Sequence, residues 1–452
     1  MIFSRIESEG LAHYSYLIAH NGEAIVIDPR RDCDEYLSMA VGQGFRITNI
    51  LETHRNEDYL VGSRELASLT GAEIHHADSQ LDYRYGQPVK EGDSWHAGRL
   101  KISALHTPGH TPGHMSYVLH DPGGNPWAVF TGDALFAGDV GRTDLLGEDR
   151  ARKNAEQLYD SIFSKILPLG DGVLVCPAHG SGSACGSSIA ERKWTTVGLE
   201  RRHNPKLQVK DRNEFVNKAG AKLEFPPYFK KMEEFNLNPP LMRTARPLPM
   251  SPGLFEAHAA ESFVLDSRTE LAFASAHVPG SLSIWREGIP GFAGWFVPYD
   301  KSLLLVSDGE YPEQEIRMLS RIGLDNISGF LSGGMLSWNM SGKKTGSVDT
   351  LSVTEMCSRL DRESGGNLLD VRSSGEIAHS GKIRNATHIH ITQLPGRLKE
   401  VPEENLHIFC GSGLRSMAAA SYLKKEKNLD SSVILGGTSA WDSATCPIEL
   451  MK

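Results

Sequence analysis

Three side chains that suit a divalent metal follow apolar strand-like runs in this 452-residue chain: His54, His110 and Asp133. Ile47–Glu52 leads into Thr53-His54. Leu100–Leu105 precedes His106 and the loop that holds His110. Trp127–Phe130 precedes Thr131-Gly132-Asp133. Two imidazoles and one carboxylate on one face leave about half an octahedron free, an arrangement that suits a single non-haem Fe(II) with positions open to O2 and a substrate. A second reactive group lies far downstream. Cys410 follows the apolar run Leu406–Phe409 and precedes a helical pattern, Met417–Leu423, with Arg415 between. A thiol at such a turn faces backbone N–H groups and a helix N-terminus, which stabilise a thiolate or a persulfide.

Other residues gather around the first group. Val173–Cys176 runs into Pro177-Ala178-His179, so His179 also follows a strand end. We assign Asp58 and His179 to hydrogen bonding and the substrate pocket. For Tyr59 two roles stand open, packing and a place in that pocket. Arg142 can pair with Asp144 or hold an anionic substrate, and we place it with the substrate. His106 and His114 flank His110 at spacings of four, but Thr107-Pro108-Gly109 and Thr111-Pro112-Gly113 forbid a regular helix. Both are expected to be structural or to orient a ligand or the substrate, and not to bind the metal themselves. Cys185 either holds a sulfane sulfur or lines the pocket. Cys33, Cys176, Cys357 and Cys446 are expected to be buried and inert.

The elements that position these residues are legible in outline. The first part alternates strands and helices, with a hairpin across Asn21-Gly22. Ligands placed after strand ends are the usual arrangement of layered α/β folds. A helical extension runs to about Phe235, and Pro239, Pro240, Pro247, Pro249 and Pro252 mark a linker. The chain then repeats itself. Leu265-Asp266-Ser267-Arg268 matches Leu369-Asp370-Val371-Arg372 at an offset of 104, and Gly333-Gly334-Met335-Leu336-Ser337-Trp338 matches Gly436-Gly437-Thr438-Ser439-Ala440-Trp441 at 103. Cys410 falls opposite Ser307, so the first copy has lost both its nucleophile and its arginine. Asp266, Arg268, Asp370 and Arg372 are expected to stabilise the fold.

A net charge of −9, with no cluster of Lys and Arg, argues against nucleic acid or an anionic membrane as partner. The N-terminus does not read as a secretory signal, and no apolar run approaches the roughly 18 residues of a membrane span. Six cysteines without paired spacing fit free thiols and a cytoplasmic location.

The segments ETHRNEDYLVGS, HTPGHTPGH, TGDALFAGDVGRTD and PAHGSG resemble the persulfide dioxygenase branch of the metallo-β-lactamase superfamily. Its members usually carry an H-x-H-x-D-H stretch; here Asn56 and Tyr59 stand where the second and last histidines belong. The resemblance implies iron ligands at His54, His110 and Asp133, and Asp58 and His179 at the second-metal positions of dinuclear relatives. LLDVR, CGSGLR and GG-x-x-x-W in the second repeat are similar to a rhodanese domain, and the first repeat to a rhodanese fold without its cysteine. The implied fold class is α/β: an N-terminal metallo-β-lactamase αββα sandwich over residues 1–245, an inactive rhodanese-like domain over 246–345 and an active one over 346–452. The implied activity oxidises a low-molecular-weight thiol persulfide, on glutathione, coenzyme A or another thiol, with O2 as co-substrate and one Fe(II) per chain. The products are sulfite and, through Cys410 and Arg415, thiosulfate. A homodimer or homotetramer is implied. The rival readings are a zinc thioester hydrolase of the glyoxalase II type and a non-catalytic sulfur carrier.

Overall fold

The computed structural model describes residues 1–186, 188–219, 225–242, 246–308, 311–360, 366–441 and 450–451. It divides into two compact units, Met1–Met242 with Ser320–Gly323, and Arg243–Leu319 with Leu324–Lys452.

The first unit is built on two six-stranded sheets. One takes the order β1 (Ile2–Ser8), β2 (His13–His20), β3 (Glu23–Ile27), β4 (Arg46–Glu52), β5 (Glu73–His76), β6 (Gln87–Pro88). The other runs β7 (Ser94–Ala97), β8 (Leu100–His106), β9 (Met115–His120), β10 (Pro126–Gly132), β11 (Leu174–Pro177), β12 (Thr195–Thr196). The β2–β3 hairpin turns through Asn21 and Gly22, both at positive φ (51° and 81°), as a tight primed turn requires. Alternate residues of the two sheets meet in one core: Ile18, Ile25, Ile27 and Leu51 from the first, Ile102, Tyr117, Leu119 and Phe130 from the second. The outer faces are covered by helices. Tyr36 and Leu66 pack on Val26 and Ile50, while Leu158 and Phe215 belong to a cluster with Val118, Val129 and Val175. Helix, sheet, sheet and helix thus stack in four layers, the αββα sandwich expected. Among the described residues, no helix is long and apolar enough to cross a membrane.

The second unit holds two five-stranded parallel sheets of one topology. In each, the strand order in space is first, fifth, fourth, second, third. Phe263–Asp266 and Asn367–Asp370 are the equivalent second strands, and Leu303–Val306 and Leu406–Phe409 the fourth. Each second strand ends in a buried Asp-x-Arg pair. Asp266 holds Arg268 at 2.6 Å and Asp370 holds Arg372 at 2.7 Å, and each carboxylate also accepts the backbone N–H of its own arginine.

Two expectations change here. The proline-rich stretch is not all linker: Leu248–Met250 pairs with Ile327–Leu331 as an edge strand, and Pro252 opens the helix Pro252–Ala259. Proline is tolerated at a sheet edge and at the first turn of a helix, so its density alone did not separate linker from fold. Cysteine pairing also differs. Cys33, Cys176, Cys185 and Cys410 are free and buried, but Cys357 is disulfide-bonded. Sequence spacing carries no information on a bridge closed by tertiary structure. Cys446 lies outside the described residues.

Candidate metal centre and thiol loop

The β-sandwich brings His54, His110 and Asp133 together from the ends of β4, the β8–β9 loop and β10. All three are at most 1 % exposed. Asp133 Oδ2 lies 3.5 Å from His110 Nε2 and 3.9 Å from His54 Nε2. None of these three atoms has a hydrogen-bond partner. Buried polar atoms without partners are costly, of the order of 1–3 kcal/mol each. Three converging on one point form a donor set that could hold a cation.

The surrounding hydrogen bonds decide which ring nitrogens face that point. Asp28 accepts the backbone N–H and the hydroxyl of Thr53, both at 2.8 Å. With its proton so committed, Thr53 Oγ1 accepts from His54 Nδ1 at 2.9 Å. His110 Nδ1 donates to the carbonyl of Arg142 at 2.9 Å. Both rings therefore carry the proton on Nδ1 and turn the Nε2 lone pair inward, as a ligand must. Burial drives the His54 pKa well below its usual value. Burial acts the same way on His110, but the Glu57 and Asp133 carboxylates outweigh it and hold its pKa up at about 9. Thr53→Val should keep the volume and lose the relay, lowering divalent-metal affinity about 10–100-fold in chelator competition.

His114 and Gly132 complete the support. His114 Nδ1 meets Thr107 Oγ1, its Nε2 accepts the backbone N–H of Asp133 at 3.1 Å, and its ring stacks on that of His54. Burial, with His110 nearby, pushes its pKa down to about 3, so it stays an acceptor. Gly132 has φ +49°, and a Cβ there would come within 2.5 Å of His114 Nε2 and 2.6 Å of Thr53 Oγ1. His106 lies on the carbonyl of Pro112, the structural alternative, and the orienting role belongs to His114.

Beside this point lies a second cluster. His179 Nδ1 donates to Asp133 Oδ1 at 2.7 Å, and its Nε2 faces Asp58 Oδ2 at 2.9 Å. Cys185 Sγ joins Asp58 and His179 within 4.8 Å, its pKa raised well above the ordinary thiol value by burial and by Asp58 and Glu57. Tyr59 is 1 % exposed with its hydroxyl unpartnered, and its ring lies 3.8 Å from that of His13. Asn56 is buried too, with Oδ1 unpartnered.

The thiol loop is built by the last repeat. Cys410 directly follows the fourth strand, and the helix Leu414–Lys427 starts four residues on. The backbone N–H of Gly413 donates to Cys410 Sγ at 3.1 Å. Arg415 forks onto Glu376, both contacts at 2.6 Å, and that hydrogen-bonded pair holds the Glu376 carboxyl down at about 2. Gly437 closes the loop from behind: Thr438 N–H donates to the Cys410 carbonyl, and a Cβ on Gly437 would come within 2.1 Å of that oxygen. At the matching place in the first repeat stands Ser307, beside a cavity of about 450 Å3 lined also by Arg286, Asp308 and Glu315. Gly309 and Glu310 lie outside the described residues.

Comparison with known proteins agrees with both halves. The metallo-β-lactamase superfamily profile matches residues 9–179, and the rhodanese-like domain profile matches 352–444. A persulfide dioxygenase of Bos taurus is 33 % identical over 220 residues, covering 47 % of this chain and 78 % of that protein. The human persulfide dioxygenase is 31 % identical over 214 residues, 46 % of this chain and 76 % of that protein. The chain belongs to the metallo-β-lactamase superfamily. A hydroxyacylglutathione hydrolase of Haemophilus influenzae is 29 % identical over 208 residues, 41 % of this chain and 88 % of that protein. Among solved structures, a metallo-β-lactamase of Staphylococcus aureus superimposes with a TM-score of 0.65 at 29 % identity, covering 74 % of this chain and 99 % of its own.

As a superfamily member with a rhodanese-like domain, the chain places its sequence-predicted residues unevenly. His54, His110 and Asp133 converge, with Asp58 and His179 alongside. Arg142 shows the pairing that was weighed against its substrate role. Its guanidinium forks onto Asp144 at 2.7 and 2.9 Å, and its carbonyl serves His110. The short Arg-x-Asp spacing lets the pair close within one loop, which fixes that loop instead of presenting a free cation. Three residues were not singled out in the sequence. Glu57 joins the metal centre, His13 packs against the rings of Tyr59 and His179 beside it, and Glu376 holds Arg415.

Proposed function

We propose that the chain is a non-haem Fe(II) persulfide dioxygenase coupled to a sulfurtransferase. The observation that carries this reading is the convergence of three unpartnered donor atoms, His54 Nε2, His110 Nε2 and Asp133 Oδ2, in a chain that also holds a thiol at a helix N-terminus. The persulfide dioxygenase relatives support it. The donor set fits one iron: two neutral imidazoles and a carboxylate suit Fe(II) and leave positions open. When bound, Fe(II) supplies the redox chemistry by which O2 reacts with a persulfide.

The overall reaction is RSSH + O2 + H2O giving RSH and sulfurous acid, which ionises to sulfite. The protein's residues keep the centre dry and fixed. Thr53 and Asp28 hold His54, the Arg142 carbonyl holds His110, and His114 holds the backbone of Asp133. Cys410 works separately. Its thiolate attacks the outer sulfur of a second persulfide, releases RS–, and becomes Cys–S–SH. Sulfite then takes that outer sulfur, forming thiosulfate and restoring the thiolate. The Gly413 N–H and the helix N-terminus stabilise the anionic sulfur at both stages.

The test is O2 uptake by anaerobically Fe(II)-loaded protein given glutathione persulfide, with sulfite and thiosulfate quantified. Uptake is expected in the wild type and lost in His54→Ala. Absence of uptake, with S-lactoylglutathione hydrolysed instead, would move the chain to the activity named for its hydroxyacylglutathione hydrolase relatives. The buried Asn56 and Tyr59 weigh against that outcome, because a neutral amide is a poor ligand for a second cation and Tyr59 faces His13.

A further inference from the structure

Glu57 sits in the loop after β4, two residues past the histidine-ligand segment, and a carboxylate on such a loop is ordinarily solvated. Here it is 1 % exposed. Its Oε2 has no hydrogen-bond partner. Its Oε1 accepts the Cys185 thiol at 3.5 Å and stands 3.0 Å from His110 Nε2. That second approach is informative. His110 has its Nδ1 proton committed to the Arg142 carbonyl, so in the neutral ring Nε2 presents only a lone pair. A carboxylate likewise has only lone pairs to offer. Two such atoms buried this close need something positive between them: in the metal-free protein a proton on Nε2, whose place a bound cation can take. One donor atom each from His54, Glu57 and His110 falls within 4.8 Å of the others, a span that a small shift closes around one divalent cation.

We propose that Glu57 is a fourth protein ligand of the centre, joining His54, His110 and Asp133. The inference rests on the metal-site reading above and deepens it. A set of two histidines and two carboxylates leaves two open positions in an octahedron, one for O2 and one for the persulfide sulfur. Two carboxylates also cancel the charge of a divalent ion, so the centre presents no net positive charge to the incoming substrate. The Cys185 thiol donates to Oε1 and so helps hold the carboxylate against the centre.

The experiment measures metal binding, not turnover. Full-length wild type, Glu57→Gln, Glu57→Ala and His54→Ala are stripped and titrated with Co(II) against a chromophoric chelator. The visible absorption of bound Co(II) is recorded, and circular dichroism reports the fold of each metal-free protein. Glu57→Gln and Glu57→Ala are expected to weaken Co(II) binding at least the about 10–100-fold seen for lesser changes around metal sites, and to shift the Co(II) bands. Wild-type affinity and wild-type bands in both folded variants would overturn the four-ligand set while leaving the centre standing, provided His54→Ala is weakened. A wild type that binds no Co(II) would overturn the metal centre and this inference with it.

Discussion

Cys410→Ser should leave O2 consumption intact and change the product, with sulfite accumulating where the wild type makes thiosulfate. The two chemistries draw on separate groups. Nothing in the set His54, His110, Asp133 and their supports Thr53, Asp28 and His114 comes from the rhodanese-like repeat. Serine keeps the loop, because the contacts that shape it are backbone ones: Thr438 N–H to the residue 410 carbonyl, and Ser439 N–H to that of Gly411. What is lost is a sulfur nucleophile with a stabilised anion. A hydroxyl at neutral pH cannot accept and return a sulfane sulfur, so enzymatic thiosulfate formation should fall by at least about a thousandfold, as when the nucleophile of a catalytic group is removed. Ion chromatography of the products checks it. Thiosulfate formed at the wild-type rate by this variant would sink the coupled scheme while leaving the dioxygenase reading in place.

Much of this was legible because the chain repeats a simple device: an apolar run that ends in a functional residue. β4, β10 and β11 hand over to His54, Asp133 and His179, and a strand hands over to Cys410, so the order of segments carried the geometry. The αββα layers and the two matching parallel sheets follow from the same alternation and from the internal repeat. What escaped depends on where a loop turns after its strand ends. Glu57 has the composition of a surface carboxylate, and only the fold of the 54–60 loop turns it inward against His110. His13 lies at the start of β2, 41 residues before His54, and reaches the centre through an isolated bridge to His179. Glu376 looked like an ordinary helix-start acid, and it does form a capping box with Ser373, but the same carboxylate grips Arg415. Arg142 shows the reverse case. A cation near a candidate site invites a substrate role, yet Asp144 two residues away satisfies it locally.

Asp133→Asn should abolish metal retention and O2 uptake while leaving the metal-free protein at least as stable. The carboxylate has two tasks that the amide divides differently. Oδ1 accepts from His179 Nδ1 at 2.7 Å, and an amide oxygen can continue to do that. Oδ2 faces the Nε2 atoms of His110 and His54 at 3.5 and 3.9 Å without a hydrogen bond. An NH2 group in that place can donate to the His54 lone pair with no cation present, while His110, protonated in the metal-free protein, keeps Glu57 as its counter-charge. The bond so gained contributes about 0.5–1.5 kcal/mol, and removing one of three buried carboxylates, Glu57, Asp58 and Asp133, eases their mutual repulsion. Opposing this, His179 loses one of its two counter-charges. The metal-free melting temperature should therefore stay level or rise by a few degrees, at about 2–4 °C per kcal/mol for a domain of this size. Bound metal should fall by about 100-fold or more, since the loss of a charged ligand exceeds that of a supporting contact. Metal analysis of the purified variant and calorimetry of both stripped proteins measure the two effects separately. Activity and stability moving in opposite directions is the mark of donors held apart for a cation. A stripped variant several degrees less stable than the stripped wild type would instead make Asp133 a fold-holding anion for His179, and would remove the strongest physical reason for placing a metal at this point.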